Sequence, residues 1–281
     1  AKRALKPVND IVDMYRRRWG LAERRIEGTY YQDSRLAVIA QLCPELDFDR
    51  AMLPPWFHYV GLVRDVPALA APVPFPYERL TGAPIVYASL GTLLQSAKPR
   101  TFRAIAKACA GRGAQLVITV GGAAGAREAL RALPGEPIVV DFAPQLDIIA
   151  RSTLVITHGG LNTVLESLSH GVPLVAMPIA FDQPGVCARV ERSGAGVVVR
   201  RHHLTTALPA AVRVVTENER FVRAARRLRS ALADCGGVSR AAAIAERALA
   251  TRAPVMRASP TESTASGGVI DIASRARRRA H

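Results

Sequence analysis

Aromatic residues make up only 5% of this 281-residue chain, 23 acids face 38 bases, and cysteine occurs four times. Each scarcity excludes something. With few aromatics, and none interleaved in a series with the basic residues, the chain lacks the stacking platforms of a single-strand nucleic-acid binder. The cysteines, at positions 43, 109, 187 and 235, lie far apart without CxxC spacing. That argues against a zinc site or a disulfide framework and favours reduced thiols in a cytoplasmic protein. Apolar runs are short bursts such as 137–140 and 154–157, whereas a membrane-spanning helix needs about 20 apolar residues. The first twenty residues carry Asp10 and Asp13 and no apolar stretch of signal-peptide length, so they do not read as a secretory address. Position 1 is Ala rather than Met, and the expectation is a fragment or a processed chain.

The net charge of +15 is concentrated toward one end: residues 201–281 hold 15 Arg and no Lys against 6 acids. Such a face suits nucleic acid or anionic lipid. The arginines of FVRAARRLRSAL, however, recur beside an Ala/Leu/Val stripe, as the solvated side of an amphipathic helix requires. The reading is therefore no nucleic-acid partner, with peripheral membrane contact left open.

Four regions separate along the chain. Residues 1–62 hold a helix candidate near 9–19 and apolar runs at 36–42 and 58–62. Residues 63–81, with Pro67, Pro72, Pro74 and Pro76, read as a linker. From 82 to 250 short apolar runs at 84–89, 115–120, 138–141, 154–157, 174–177 and 196–199 alternate with helix-length segments at 99–111, 124–132, 145–150, 161–169 and 183–193. Continuous apolar strands alternating with amphipathic helices predict an α/β domain with a doubly wound parallel sheet. Residues 251–281, rich in Ser, Thr, Ala, Arg and Gly, are expected to be a disordered basic tail.

In such sheets ligands bind outside the carboxyl ends of the strands. The first strand runs into Ser89-Leu90-Gly91-Thr92, whose backbone N–H groups and hydroxyls suit an anionic oxygen cluster. The fourth runs into His158-Gly159-Gly160-Leu161-Asn162-Thr163. Two glycines admit a ligand close to the backbone, the following helix offers its positive end, and Asn162 and Thr163 add donors in its first turn. Glu166, one helical turn after Asn162, is placed to accept both hydroxyls of a ribose. Taken singly, His158 also reads as a structural residue and Glu166 as a charge complementing the helix dipole. Asp182 and Gln183, after the fifth strand, form a donor and acceptor pair of the kind sugar hydroxyls want; the alternative for Asp182 is a helix N-cap. Phe142, at the end of the third strand, suits either the core or a stacked base, with the Ala143 backbone and Gln145 as hydrogen-bonding neighbours.

The stretch FAPQLDIIARSTLVITHGGLNTVLESLSHGVPLVAMPIAFDQ, residues 142–183, resembles the nucleotide-sugar signature of the family 1 UDP-glycosyltransferases, which have the two-domain GT-B fold. The likeness runs from SLGT at 89–92 to about residue 250. With PPWFHYVGL at 54–62 it is nearest to bacterial carotenoid (zeaxanthin) glucosyltransferases. The resemblance implies a Rossmann-like donor domain over 82–250, preceded by the remnant of an acceptor-binding N-terminal domain over 1–62. It implies diphosphate contacts from His158, Gly159, Gly160, Asn162, Thr163, Ser89 and Thr92. It further implies nucleoside contacts from Phe142, Ala143, Gln145 and Glu166, and hexose contacts from Asp182 and Gln183. Phe142 stands where the family often has Trp, and Gly159 and Leu161 stand where plant members have Cys and Trp.

The implied reaction is an inverting transfer of a hexose, glucose by the same likeness, from a UDP-sugar to a hydroxyl of a lipophilic acceptor such as a carotenoid. The implied general base is a His of the N-terminal domain, expected to be missing here, and His58 is not assigned that role. No metal and no cofactor is expected. The alternatives are a donor-binding module that needs a separate acceptor-binding subunit, and an inactive remnant.

Overall fold

The computed structural model describes residues 2–21, 34–50, 52–64, 73–91, 98–122, 127–130 and 132–257. By its internal contacts the chain divides into two units. The smaller comprises Ala1–Val38, Pro54–His58 and Ala248–His281, and the larger Ile39–Leu53 and Tyr59–Arg247.

In the smaller unit, helix α1 (Lys2–Arg18) ends on Arg16, Arg17 and Arg18, whose charge complements the negative end of the helix. Backbone bonds tie its distant segments: Val255 N donates to Leu36 O and Arg257 N to Pro55 O, each at 2.7 Å. His58 is buried, its Nε2 2.9 Å from Val255 O. Strands β1 (Val38–Ala40) and β2 (Phe57–Tyr59) run across the boundary in sequence.

The larger unit is built on six parallel strands, β3 (Ile85–Ser89), β4 (Gln115–Thr119), β5 (Ile138–Val140), β6 (Ser152–Thr157), β7 (Leu174–Ala176) and β8 (Gly196–Val198), in the order β5-β4-β3-β6-β7-β8. The doubly wound α/β architecture read from the sequence is present. Strand side chains alternate between two cores, which is why the central positions of these strands are apolar on both faces. Val86, Ala88, Leu116, Ile118, Leu154 and Ile156 face one core, completed by α2 (Lys98–Cys109) and α6 (Leu204–Glu217). Ile85, Tyr87, Val117 and Val155 face the other, completed by α3 (Gln145–Ala150), α4 (Leu161–Ser169), α5 (Gln183–Ser193) and α7 (Glu219–Asp234). Helix α8 (Gly237–Thr251) follows.

Local chemistry fixes the element ends. Helix α4 stops at Gly171, φ +73°, where Gly171 N bonds Leu168 O and Val172 N bonds Ser167 O, each at 2.9 Å, the paired closure of a Schellman motif. The arginines of FVRAARRLRSAL lie on the outside of α7, while Phe221, Ala224, Ala225, Leu228 and Leu232 are buried.

The helix expected over 124–132 is not formed by the residues described there, which hold a single 3₁₀ turn at Glu128–Leu130. Ala132 lies outside the helical region at φ +58°, and Pro134 disfavours that region for Leu133, so no helix continues past this point. The expected tail lies outside the described residues from 258 onward. Among the described residues no helix is long and apolar enough to cross a membrane.

Candidate nucleotide-sugar site

The sheet order creates a crevice. From β3 the chain builds outward through β4 and β5, then returns to add β6, β7 and β8 on the other side, so the carboxyl ends of β3 and β6 flank the point where the winding reverses. That is where ligands enter open parallel sheets. Ser89 and Thr157 are register partners at this edge.

His158 is held there by backbone on two sides. A Cβ added to Gly91, φ +71°, would lie 2.8 Å from His158 Nε2, and one added to Gly160 would lie 2.7 Å from the same atom. Any larger residue at either position would displace the imidazole, so both positions need glycine. Gly159, φ +83°, meets the opposite constraint: its Cβ would fall 2.3 Å from Cys187 Sγ, because α5 packs directly beneath the turn. Burial pushes the Cys187 thiol up to about 12, which makes it a packing group rather than a nucleophile. Thr157 Oγ1 lies 3.4 Å from His158 Nδ1 and accepts from Gly159 N at 3.3 Å.

Helix α4 opens at Gly160 with no side chain capping its N-terminus, leaving first-turn N–H groups directed at the crevice. Asn162 is exposed in that turn, Thr163 is nearly covered, and Ser89 is buried at the strand end. Thr92 lies outside the described residues.

Glu166 sits deeper. It is fully buried on α4, six residues into a nine-residue helix, which excludes the reading of a first-turn charge serving the dipole. Gln145, the first residue of α3, donates from Nε2 to Glu166 Oε2 at 2.5 Å. The other oxygen makes no hydrogen bond and faces the Arg64 guanidinium as an ion pair.

Phe142, just past β5, is 53% exposed, and its ring lies over the backbone of Gly122, where a Cβ would come within 2.7 Å of Cζ. A flat aromatic face is thus displayed at the same sheet edge. Ala143 is half-buried between Phe142 and Gln145. At the β7 end, Asp182 stands at the N-cap position of α5, yet its carboxylate makes no capping bond and is exposed. Gln183 is buried, with Oε1 accepting from Ile179 N at 2.9 Å and Ala180 N at 2.8 Å, so its amide nitrogen is the group it can offer a ligand.

Several participants escaped the sequence reading. Gly122 supports Phe142 from a loop that carried no motif. Arg64 lies in the proline-rich linker. Tyr87 and Thr119, in the interior of apolar runs, connect to Gln145 beneath the crevice. Phe181, φ +59° and 71% exposed beside Asp182, is a large side chain in a backbone region that favours glycine. Among the described residues no cluster of three or more His, Cys, Asp or Glu is placed to hold a metal ion.

The chain is similar to the zeaxanthin glucosyltransferase of Pseudescherichia vulneris, 39% identical over 246 residues, 87% of this chain and 57% of the relative. It is also similar to that of Pantoea ananas, 36% identical over 252 residues, 89% of this chain and 57% of the relative. It thus spans less than three fifths of the length of these curated relatives. Among solved structures, CalG4, the calicheamicin glycosyltransferase, superposes with a TM-score of 0.67 at 25% identity, covering 88% of this chain and 62% of that one. The model of the family UDP-glucoronosyl and UDP-glucosyl transferase matches residues 27–235. With that match lying over the whole of the strand-end constellation, the chain belongs to the UDP-glucoronosyl and UDP-glucosyl transferase family.

Proposed function

We propose that this chain carries the donor half of a glycosyltransferase that moves glucose from UDP-glucose to a hydroxyl of a lipophilic acceptor, a carotenoid in the first instance, with inversion at the anomeric carbon. The observation that most supports the reading is the placement of His158, wedged between Gly91 and Gly160 at the β3–β6 crevice with the uncapped end of α4 beside it. In this reading the diphosphate lies against His158 and the α4 N-terminus, the uracil on Phe142, the ribose at Glu166 and the hexose at Asp182 and Gln183.

The chemistry follows from those roles. The acceptor oxygen attacks the anomeric carbon, the bond from that carbon to the diphosphate breaks, and UDP departs with the electron pair. Removal of the acceptor proton by a general base contributes about 10² to 10⁴ in rate; that base is assigned to no residue of this chain. His158 and the α4 dipole stabilise the charge that develops on the leaving phosphate, and the reading routes no step through a metal.

Calorimetric titration with UDP, followed by an assay with UDP-glucose and a hydroxylated carotenoid, tests the proposal. UDP should bind with one site per chain, and His158→Ala should weaken it by about tenfold or more, the worth of a hydrogen bond to a charged group. No UDP binding, or binding indifferent to His158→Ala, refutes the donor reading. UDP binding with glucose passed to the carotenoid neither by this chain nor by any longer protein containing it refutes the acceptor class.

A further inference from the structure

A sequence of directed hydrogen bonds lies under the crevice. Tyr87, in the middle of β3, is 1% exposed. Its hydroxyl lies 3.0 Å from Thr119 Oγ1 and donates to Gln145 Oε1 at 3.0 Å, and Gln145 Nε2 donates to Glu166 Oε2 at 2.5 Å. Direction can be assigned throughout. A carboxylate paired with Arg64 only accepts, so the Gln145 amide must turn its nitrogen to Glu166 and its oxygen to Tyr87. The single phenolic proton is then committed to Gln145, which leaves Thr119 as donor to Tyr87. Burial pushes the Tyr87 phenol above its ordinary value, against the hydroxyls of Thr119 and Ser89, so it keeps that proton at neutral pH.

The arrangement is polar where a phenylalanine would fill nearly the same volume without a buried hydroxyl to satisfy. What the hydroxyl provides is restraint: the amide is held at both ends, and one oxygen of Glu166 is fixed. The second oxygen, buried and without a hydrogen bond, is left facing the Arg64 side chain, itself 43% exposed and able to move into solvent.

We infer that Tyr87, acting through Gln145, is a positioning residue that aims the second oxygen of Glu166 at the ribose 2′-hydroxyl, and so sets the preference of this site for ribo- over 2′-deoxyribonucleoside diphosphates. The inference rests on the reading of Glu166 as the ribose ligand. Without Tyr87, Gln145 loses its donor, the amide is held at one end, and Glu166 is no longer restrained at the angle the diol needs.

The test is calorimetric titration of the full 281-residue chain and of Tyr87→Phe with UDP and with 2′-deoxy-UDP. The wild type should favour UDP. Tyr87→Phe should lose about fivefold to tenfold for UDP, the worth of about one hydrogen bond, and at most about twofold for the deoxy ligand, so the ratio collapses. Thr119→Val should move the ratio the same way by less. Should Tyr87→Phe fail to fold, Gln145→Leu, at the less buried end of the same path, reads the same ratio. Equal loss for both ligands marks a merely structural tyrosine and overturns the inference, as does an unchanged ratio. A wild type that binds UDP without favouring it over the deoxy form overturns the inference and leaves the donor reading standing; a wild type that does not bind UDP removes both.

Discussion

Among the described residues of the larger unit two carboxylates are fully buried, Asp47 and Glu166, and they are served very differently. Asp47 Oδ1 accepts from Phe48 N at 2.9 Å and from Arg189 Nε at 2.8 Å, with Arg189 Nη2 also at 2.8 Å; Oδ2 accepts from the Tyr59 hydroxyl at 2.8 Å and faces Arg50 Nε at 3.1 Å. Arg192 adds a bond to its backbone oxygen at 2.6 Å. Glu166 has one hydrogen bond, from Gln145, and one half-exposed guanidinium. A buried charge is tolerated when its lone pairs are filled. Asp47 is filled from within the chain and works as a structural knot. Glu166 has a hydrogen bond on one oxygen and a half-exposed guanidinium on the other, a partner that ligand hydroxyls can replace.

The largest expected effect separates the two directly. Asp47→Ala leaves Arg189, whose side chain is mostly covered, without its carboxylate and unties Tyr59 and Phe48 N as well, and urea unfolding should show a loss of about 3–5 kcal/mol, with UDP affinity of the remaining folded protein unchanged. Glu166→Gln should do the reverse: UDP affinity falls by tenfold or more, because a hydrogen bond to a charge is worth about 1.5–3 kcal/mol, while the unfolding midpoint barely moves. Equal stability losses from both would break the comparison.

The guanidinium partners sharpen it. Arg189→Ala should cost about 2–3 kcal/mol, since Asp47 keeps Tyr59, Phe48 N and Arg50 but loses the guanidinium that bonds Oδ1 through two nitrogens. Arg64→Ala leaves the buried Glu166 carboxylate with Gln145 alone, but Arg64 is half-exposed and water can take its place, so the loss should be about 1–3 kcal/mol, below that of Asp47→Ala, and UDP should not be weakened. A marked loss of UDP affinity in Arg64→Ala would mean that Arg64 serves the nucleotide itself.

The smallest effect is in acid. Desolvation alone would raise the Asp47 carboxyl, but the Tyr59 hydroxyl, Phe48 N–H and Arg189 outweigh it and hold it below the ordinary 3.8. A depressed folded value means stability that is complete above the ordinary value and lost as pH falls below it. Between pH 5 and pH 3, wild type should therefore lose more stability than Asp47→Asn, measured by urea midpoints; parallel losses would assign the acid sensitivity elsewhere.

Much of this was legible in the sequence, for a physical reason. The six strands announce themselves because burial on both faces forces unbroken apolar runs, and α3, α4 and α5 begin and end where Pro144, Gly160, Gly171 and Gly194 permit. His158, Glu166 and Asp182 each had a structural reading taken singly and stood out together with Gly159, Gly160, Asn162 and Thr163, a combination that a merely structural turn does not require. Tyr87 did not, because its neighbours are apolar and its partners are set by register: it lies opposite Val117 on β4, so Thr119, two residues along, shares its face. Asp47 was passed over likewise, since Arg189 lies 142 residues away. Of the helix expected over 124–132, the described residues hold a single turn at Glu128–Leu130, and Ala132 lies outside the helical region at φ +58°.

The most direct measurement is a crystal structure of the chain with UDP. The account predicts phosphate oxygens within hydrogen-bond distance of His158 and the first turn of α4, uracil parallel to the Phe142 ring, and the ribose diol on Glu166 where Arg64 now lies. UDP seated elsewhere, for example in the cleft of about 460 Å³ lined by Arg220, Arg223 and Arg227, with the β3–β6 crevice empty, would contradict it.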